Sequence, residues 1–553
     1  MPSSRVTSFV EASLLLAALP FSRGYCEVGD SCWPSSTEWT NLENELSSNA
    51  LYNVNNDISE YDDCDDQTDA FGLEDNVNGV CMQYTNCKYE YCVDGQAADL
   101  PAYTVAVQTV GDIQAVLAFA SQHNIAVTVK TSGHSYSGSS TAANSILIWT
   151  REFLGNNVEI KSNYNNTCAT TFPDAISVGG GNTWGEVYST VQDSFNVVGG
   201  GALSVGAAGG WLAGGGLSAL SRKYGYGIDN VIDFDVVLPN GTLAHVDACE
   251  NPDLFWALRG GGGGTFGVVT NVHYQLHPVE PIKNVYMSIT WEDNDSFGEL
   301  VQSWWDFWVE NSQTLSNNWG GYWTLSSAIL YHTGELSGGD AFVTAITAWK
   351  DDQSRSDLIT VTETDYISYW DAHGRGEKTD ETGFEFDIGS RLVPRSYVES
   401  NTDDFVDLLD DISNAGFFTW NYFLGGATEA VDGDDTSMHP AARTALYQIE
   451  VVTEQVASTM DLVRNIPNSG SGYNHGYKLE PDWKNAFWGD NYDRLLSIKQ
   501  QVDPNNTLNC WHCVGYVGEE PDYDSLIDDE TDISVACHLS FSLAAIAAWA
   551  LCW

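Results

Sequence analysis

The segment "GGGALSVGAAGGWLAGGGLSALSRKYGYGIDN", Gly199–Asn230, constrains this chain more than any other. Each glycine placed inside a helix or strand costs about 0.5–1 kcal/mol relative to alanine. A run this dense therefore excludes a simple helix or strand interior and must form close turns or bare backbone walls. Two other segments share the texture. "TVKTSGHSYSGSST", Thr128–Thr141, is a loop of small residues around one histidine, His134, and "RGGGGGTFG" runs from Arg259 to Gly267. Exposed backbone N–H groups in such loops can cradle a pyrophosphate without side chains blocking its approach. None of the three carries GxxxxGK[ST], and none is a GxGxxG opening a helix after a first strand.

Between these loops the pattern alternates strand and helix. "AYTVAVQTV" and "IAVTVK" read as strands. The helix between them places Ile113, Val116, Leu117 and Ala120 on one face. "SILIW", Ser145–Trp149, begins another strand, and "AISVGGG" a further one. Thr183 and Glu186 form a capping box that opens a helix running to about Gln192. "FNVVGG" returns as a strand. "VIDFDVVLPNGTLAHVD" predicts two strands around an Asn240–Gly241 turn. "NPDLFWALRGGGGG" predicts a short helix with Asn251 as N-cap, Pro252 first and Gly260 at the stop. "TFGVVTNVHYQLHP" predicts a long strand. Residues 279–475 change texture, with "SWWDFWVEN" and "NWGGYWTL", and predict a second α+β unit whose aromatics mostly pack a core. "LEPDWKNAFWGDNYDRLLSIKQQVDPNNTL" predicts one helix stopped at Asp503–Pro504.

A chain of 553 residues exceeds one hydrophobic core and predicts two or three domains. Its formal charge of −54 argues against a nucleic-acid partner, which needs a basic face. At the N-terminus, Arg5 and the apolar run Ser13–Phe21 read as a secretory signal peptide over 1–24, with an ordinary buried segment as the alternative. Four sequons, Asn165, Asn240, Asn294 and Asn505, fit secretion and a glycoprotein. Residues 25–97 are acidic and hold Cys26, Cys32, Cys64, Cys81, Cys87 and Cys92, a disulfide-stapled segment in an oxidising compartment. Cys510 and Cys513 in "CWHC" read as disulfide partners rather than a metal site, because a tetrahedral zinc needs four ligands; no metal is expected. After an acidic spacer, 516–532, the uncharged tail 533–553 is long enough to cross a bilayer. It reads as a glycolipid-anchor signal or as a single spanning helix. The protein is thus expected to be secreted or held at the cell surface.

Two hydrolytic classes are disfavoured. Gly133-His134-Ser135-Tyr136-Ser137 is no GxSxG elbow, and there is no HExxH.

The segments "VKTSGHSYSGSSTAANSILIW", "SVGAAGGWLAGGGLSALSRKYGYGIDNVIDF", "NPDLFWALRGGGGGTFGVVTNV" and "EPDWKNAFWGDNYDRLLSIKQQVDPN" occur in that order. Together they resemble the berberine-bridge-enzyme-like branch of the vanillyl-alcohol-oxidase superfamily, over about Pro101–Gly515. The resemblance implies an α+β fold: a two-lobed, PCMH-type FAD-binding domain over 98–278, an inserted substrate domain with an antiparallel sheet over 279–475, and a segment 476–515 returning to the FAD domain. It implies FAD, bound through Thr131, Ser132, Gly133, His134, Ser135, Val205, Gly206, Gly209, Gly210, Ile228, Val268, Asn491 and Tyr492, with His134 joined to the flavin 8α carbon. A neutral imidazole is a suitable nucleophile for that bond. Many relatives carry a second link through a cysteine; the matching residue is Ala202, so attachment is expected to be single.

The implied activity is oxidation of an alcohol or amine (a carbohydrate, an aromatic alcohol or a secondary metabolite) by hydride transfer, with O2 reoxidising the flavin to give H2O2. Val205 matches a position where a small residue goes with oxygen access. The catalytic tyrosine of relatives precedes an asparagine by two residues. Asn474 fits the asparagine, but Gly472 stands at the tyrosine position and Tyr473 is adjacent, so Tyr473 and Asn474 are the expected catalytic pair. A dehydrogenase using another acceptor, and a flavin-fold surface glycoprotein without chemistry, are the competing readings.

Overall fold

The computed structural model describes residues 24–47, 50–54, 101–292, 294–374, 387–414, 418–453 and 456–518. The expected signal peptide up to residue 23, the cysteines Cys64, Cys81, Cys87 and Cys92, and the tail 533–553 lie outside the described residues. Among the described residues no helix is long and apolar enough to cross a membrane.

The architecture is α+β, built on three main sheets. In the first, Tyr103–Ala106, Ile146–Trp149 and Val127–Lys130 run parallel, with Leu51–Asn53 antiparallel at the edge. The helix Val110–His123 makes the crossover. Thr109 Oγ accepts from the Asp112 N–H at 3.2 Å, and the Asp112 carboxylate accepts from the Thr109 N–H at 2.9 Å. Ile113, Val116, Leu117 and Ala120 are all buried against the sheet, as the periodicity predicts. The chain returns here near its end: the Val127 N–H donates to Thr507 O at 2.8 Å and the Asn509 N–H to Val127 O at 3.1 Å. Thr507–Asn509 thus extends the edge beside the strand that leads into the histidine loop.

The second sheet is antiparallel, in the order Val158–Asn165, Thr171–Gly179, Val268–Gln275, Val231–Val237, Leu243–Val246. The capping box forms, with the Thr183 N–H donating to Glu186 at 2.8 Å, and opens the helix Trp184–Val191. Asn251 does precede the helix Pro252–Leu258, but from a left-handed conformation (φ 56°), and its side chain donates to His245 O at 2.7 Å instead of capping. Cys168 and Cys249 are bonded, as are Cys26–Cys32 and Cys510–Cys513.

The third sheet has eight antiparallel strands. Seven follow the order Ile359–Tyr366, Ile282–Ile289, Ser327–Thr333, Trp319–Trp323, Asn421–Phe423, Ala445–Thr453, Asp387–Pro394, and Phe418–Thr419 also pairs with Ala445–Thr453. One face packs on the helix Asn294–Ser312, burying Trp304, Trp305, Trp308 and Trp323 almost completely. Core packing therefore accounts for most of the tryptophans that drew attention in 279–475.

The single helix predicted near the C-terminus is two. Trp483–Trp488 and Tyr492–Val502 are separated at Gly489, which is left-handed (φ 52°). The apolar periodicity continues through the break, so the pattern did not reveal it. Beyond the break, Lys499 is fully buried. Its ammonium donates to Thr265 O at 2.8 Å, Leu508 O at 2.7 Å and the Asp503 carboxylate at 2.6 Å. One buried cation thereby ties the third glycine loop to the returning edge segment.

Candidate cofactor and active site

The three glycine-rich segments meet. The Gly206 N–H donates to Ser132 Oγ at 3.0 Å, joining the second segment to the histidine loop. A Cβ on Gly206 would lie 2.6 Å from the Thr131 side chain, and one on Gly263 would lie 2.7 Å from the Gly210 backbone. Real Cβ atoms do not approach that closely, so these contacts require glycine. Gly209 also lies against Thr131 Oγ, and Gly210 faces open space. Thr131 is held by Trp149, whose indole N–H donates to Thr131 O at 3.0 Å, and by its own hydroxyl to Gly180 O at 3.2 Å. The Ser139 N–H donates to Ser135 Oγ at 3.0 Å, folding the histidine loop on itself. Gly133 is left-handed (φ 85°) and turns the chain at His134.

His134 Nε2 lies 2.7 Å from Ser204 Oγ. Burial, together with the Lys130 ammonium, lowers the His134 pKa to about 3, so the imidazole is neutral. Burial lowers Lys130 itself to about 7. A neutral, oriented imidazole amid close-packed bare backbone is compatible with the FAD that the sequence resemblance implies.

The structure distributes the other expected residues unevenly. Val205 is buried, and its carbonyl accepts from the Trp184 N–H at 3.0 Å. Ile228 is buried and donates its N–H to Gly215 O at 3.2 Å. Val268 is buried in the apolar cluster with Val127, Ile146 and Ile148. Asn491 donates to Met438 O at 2.7 Å, and Met438 in turn lies against Gly215 and Gly260. Tyr492 packs among Trp483 and Trp488 and accepts from the Gly515 N–H at 3.3 Å. Asn491 and Tyr492 therefore stand on the side of the returning segment, while Thr131–Ser135, Gly206, Gly209 and Gly210 come together. Asn474 lies on the glycine segment, its amide donating to Trp211 O at 2.8 Å. The Tyr473 ring lies against Gly262, and burial raises its pKa well above the ordinary phenol value.

One group escaped the sequence reading. His475 Nδ1 lies 2.9 Å from the Glu450 carboxylate, and Gln448 Nε2 donates to the same carboxylate at 2.7 Å. All three are buried. The imidazole packs between Tyr136 of the histidine loop (ring centres 5.5 Å apart) and Tyr422 of the large sheet (5.8 Å). Trp420, Tyr322 and Tyr422 continue that wall. Burial and the Glu450 carboxylate hold the Tyr422 phenol far above its usual range. A Cβ on Gly472 would sit 2.5 Å from the Gln448 amide, so the amide occupies the room a tyrosine at 472 would need. A signal was present: Gln448 and Glu450 put two polar side chains on one face of the strand "ALYQIEVVT".

The packed glycine loops and the neutral histidine agree with what comparison with known proteins finds. Residues 101–247 match the FAD binding domain family, and 466–513 match the family described as berberine and berberine like. The chain is 28% identical to the FAD-linked oxidoreductase ZEB1 of Gibberella zeae, over 91% of this chain and 95% of that one. It superposes on the VAO-type flavoprotein MtVAO615 of Myceliophthora thermophila C1 with a TM-score of 0.73 and 25% identity, over 89% and 97% of the two chains. It also superposes on the glucooligosaccharide oxidase of Acremonium strictum, described as carrying 6-S-cysteinyl, 8α-N1-histidyl FAD, with a TM-score of 0.58 and 21% identity, over 76% and 93%. These matches support a berberine-bridge-enzyme-like FAD oxidoreductase of the vanillyl-alcohol-oxidase superfamily.

Proposed function

We propose that the protein oxidises an alcohol or amine carbon, with FAD held by a single covalent bond through His134 and O2 as the final acceptor. The observation that carries this reading is the meeting of two walls: the glycine loops bearing His134, and the large sheet bearing Glu450 and His475, joined through Tyr136. In this reading 98–278 with 476–515 hold the cofactor and 279–475 hold the substrate. Bound FAD supplies a two-electron acceptor for hydride, regenerated by O2 with release of H2O2.

The chain's own residues do the rest. Thr131–Ser135, Gly206, Gly209 and Gly210 hold the dinucleotide, with Ile228 behind them. Val268, Asn491 and Tyr492 support the loops from the core and from the returning segment. Ala202 offers no thiol, which supports one link rather than two. Tyr473, expected as the catalytic phenol beside Asn474, stays protonated at neutral pH because burial raises its pKa, so it suits donating a hydrogen bond. The Glu450–His475 pair suits accepting the substrate proton: a carboxylate orients an imidazole, which can take a proton without a charge being stranded in the core. Trp420, Tyr322 and Tyr422 offer ring faces to a substrate against that pair. Val205, small and buried, leaves room for O2 near the cofactor.

Stopped-flow reoxidation of photoreduced protein tests the acceptor without knowledge of the substrate. Rapid recovery of the oxidised spectrum in air-saturated buffer, slowed in Val205→Leu, is expected. Reduced flavin that persists for many minutes in air would favour the dehydrogenase reading.

A further inference from the structure

The second glycine segment carries a hydroxyl where it meets the histidine loop. Ser204 Oγ lies 2.7 Å from His134 Nε2, and the placement is over-determined on both sides. The Gly206 N–H is tied to Ser132 Oγ at 3.0 Å, two residues from each partner. Leu203 O accepts from the Gly185 N–H at 2.7 Å and Val205 O from the Trp184 N–H at 3.0 Å. Ser204 is therefore gripped before and after by the start of the helix Trp184–Val191. His134 turns out of a left-handed glycine, Gly133. Both partners are half-buried, in a loop contact that also contains buried Ala202.

A neutral imidazole has one pyrrole-type and one pyridine-type nitrogen, and the hydrogen bond at one nitrogen sets the chemistry of the other. Only the nitrogen without hydrogen is nucleophilic. Nε2 faces a hydroxyl that can accept from an Nε2–H or donate to a bare Nε2; in the first arrangement the lone pair resides on Nδ1.

We propose that Ser204 is the positioning residue for covalent flavin attachment: it accepts the hydrogen bond from His134 Nε2–H, fixes the tautomer and presents Nδ1 to the flavin. The inference rests on the proposed covalent link through His134. The bond formed joins His134 Nδ1 to the 8α-methyl carbon of the flavin, and one C–H bond of that methyl breaks. The imidazole gives up its N–H proton along the Ser204 contact, and the two electrons left in the ring system pass to dioxygen. Dioxygen with the methyl hydrogen and the imidazole hydrogen gives H2O2, so the step balances with no other reactant. Ser204 stays chemically unchanged.

The test uses full-length apoprotein from a flavin-starved host, incubated with FAD in air. Acid-stable flavin is followed over time, and non-covalent FAD binding is measured in parallel by fluorescence quenching. Ser204→Thr keeps the hydroxyl, and Ser204→Val keeps the shape of threonine without it. Expected are wild-type-like attachment in Ser204→Thr and attachment slowed about tenfold or more in Ser204→Val and Ser204→Ala, with non-covalent affinity kept. Equal attachment rates in Ser204→Thr and Ser204→Val would overturn the proposal, because the hydroxyl would then do nothing. Loss of non-covalent binding in both Ser204→Val and Ser204→Ala would also overturn it, assigning Ser204 a structural role. Absence of acid-stable flavin in the wild type is a separate outcome, which would remove the His134 link itself.

Discussion

The two walls of the site are built by opposite means. Around His134 the chain packs backbone on backbone: Gly206 against Thr131, Gly263 against Gly210, Gly214 against Asn474. Around Glu450 it packs ring on ring, with Trp420, Tyr322, Tyr422 and His475 before a second layer of buried tryptophans. The first wall has no room for an added carbon at Gly206 or Gly263. The second is built of side chains, which can be exchanged singly. In the proposed function the first wall holds the cofactor and the second meets the substrate, so each should fail in its own way when altered.

The largest effect separates chemistry from cofactor. Glu450→Gln keeps the shape of the buried side chain but removes the charge that orients His475. Turnover should fall by about 10²–10⁴-fold, with flavin content unchanged, measured by steady-state assay and the 450 nm absorbance per protein. Loss of flavin along with turnover would instead place Glu450 in the cofactor wall.

The next pair reverses that outcome. Gly206→Val drives methyl groups into Thr131 and should abolish flavin loading while the large sheet stays folded. Trp304→Ala, which empties a buried site under the large sheet, should cost about 3–5 kcal/mol of stability and lower the denaturation midpoint, with the flavin retained. Similar behaviour in the two variants would erase the distinction between the walls.

Lys499→Met strands the buried Asp503 carboxylate and cuts the tie between Thr265 and Leu508. Breaking a buried pair from one side costs about 3–5 kcal/mol. The loss should be at least as large in loaded protein as in flavin-free protein, because slackening of the glycine loops also weakens cofactor binding. Chemical denaturation of both forms reads the difference.

The smallest effect is acidic. His512 is almost fully buried, has no hydrogen-bond partner on either ring nitrogen among the described residues, and sits among Trp483, Phe487 and Trp511. Burial lowers its pKa to about 3, against about 6.5 in the unfolded chain. Below pH 6.5 the unfolded state binds a proton that the folded state refuses. Its contribution is therefore full above pH 6.5 and falls as the pH drops toward 3, by about 1.4 kcal/mol per pH unit. His512→Phe should flatten the fall in melting temperature between pH 7 and pH 5; an unchanged slope would exclude His512 as a source of it.

The cofactor wall was far more legible in the sequence than the substrate wall. Glycine density, the lone His134, and the order of four motifs are local signals that need no knowledge of what packs against them. Glu450 and His475 are 25 residues apart on different elements, and Tyr136 lies far from both, so their meeting is a product of tertiary packing. Gly472 looked like a missing tyrosine and proves to be the room taken by the Gln448 amide. The helix break at Gly489 was hidden because apolar spacing persists through it, while the backbone turns on a left-handed residue.

Attachment of the flavin through His134 alone can be tested directly. Purified protein is digested with trypsin and the peptide containing His134 is examined by mass spectrometry, before and after acid treatment. This peptide, and no cysteine peptide, is expected to carry the flavin mass and the visible absorbance. Yellow protein whose His134 peptide is unmodified, with all flavin released by acid, would contradict attachment through His134.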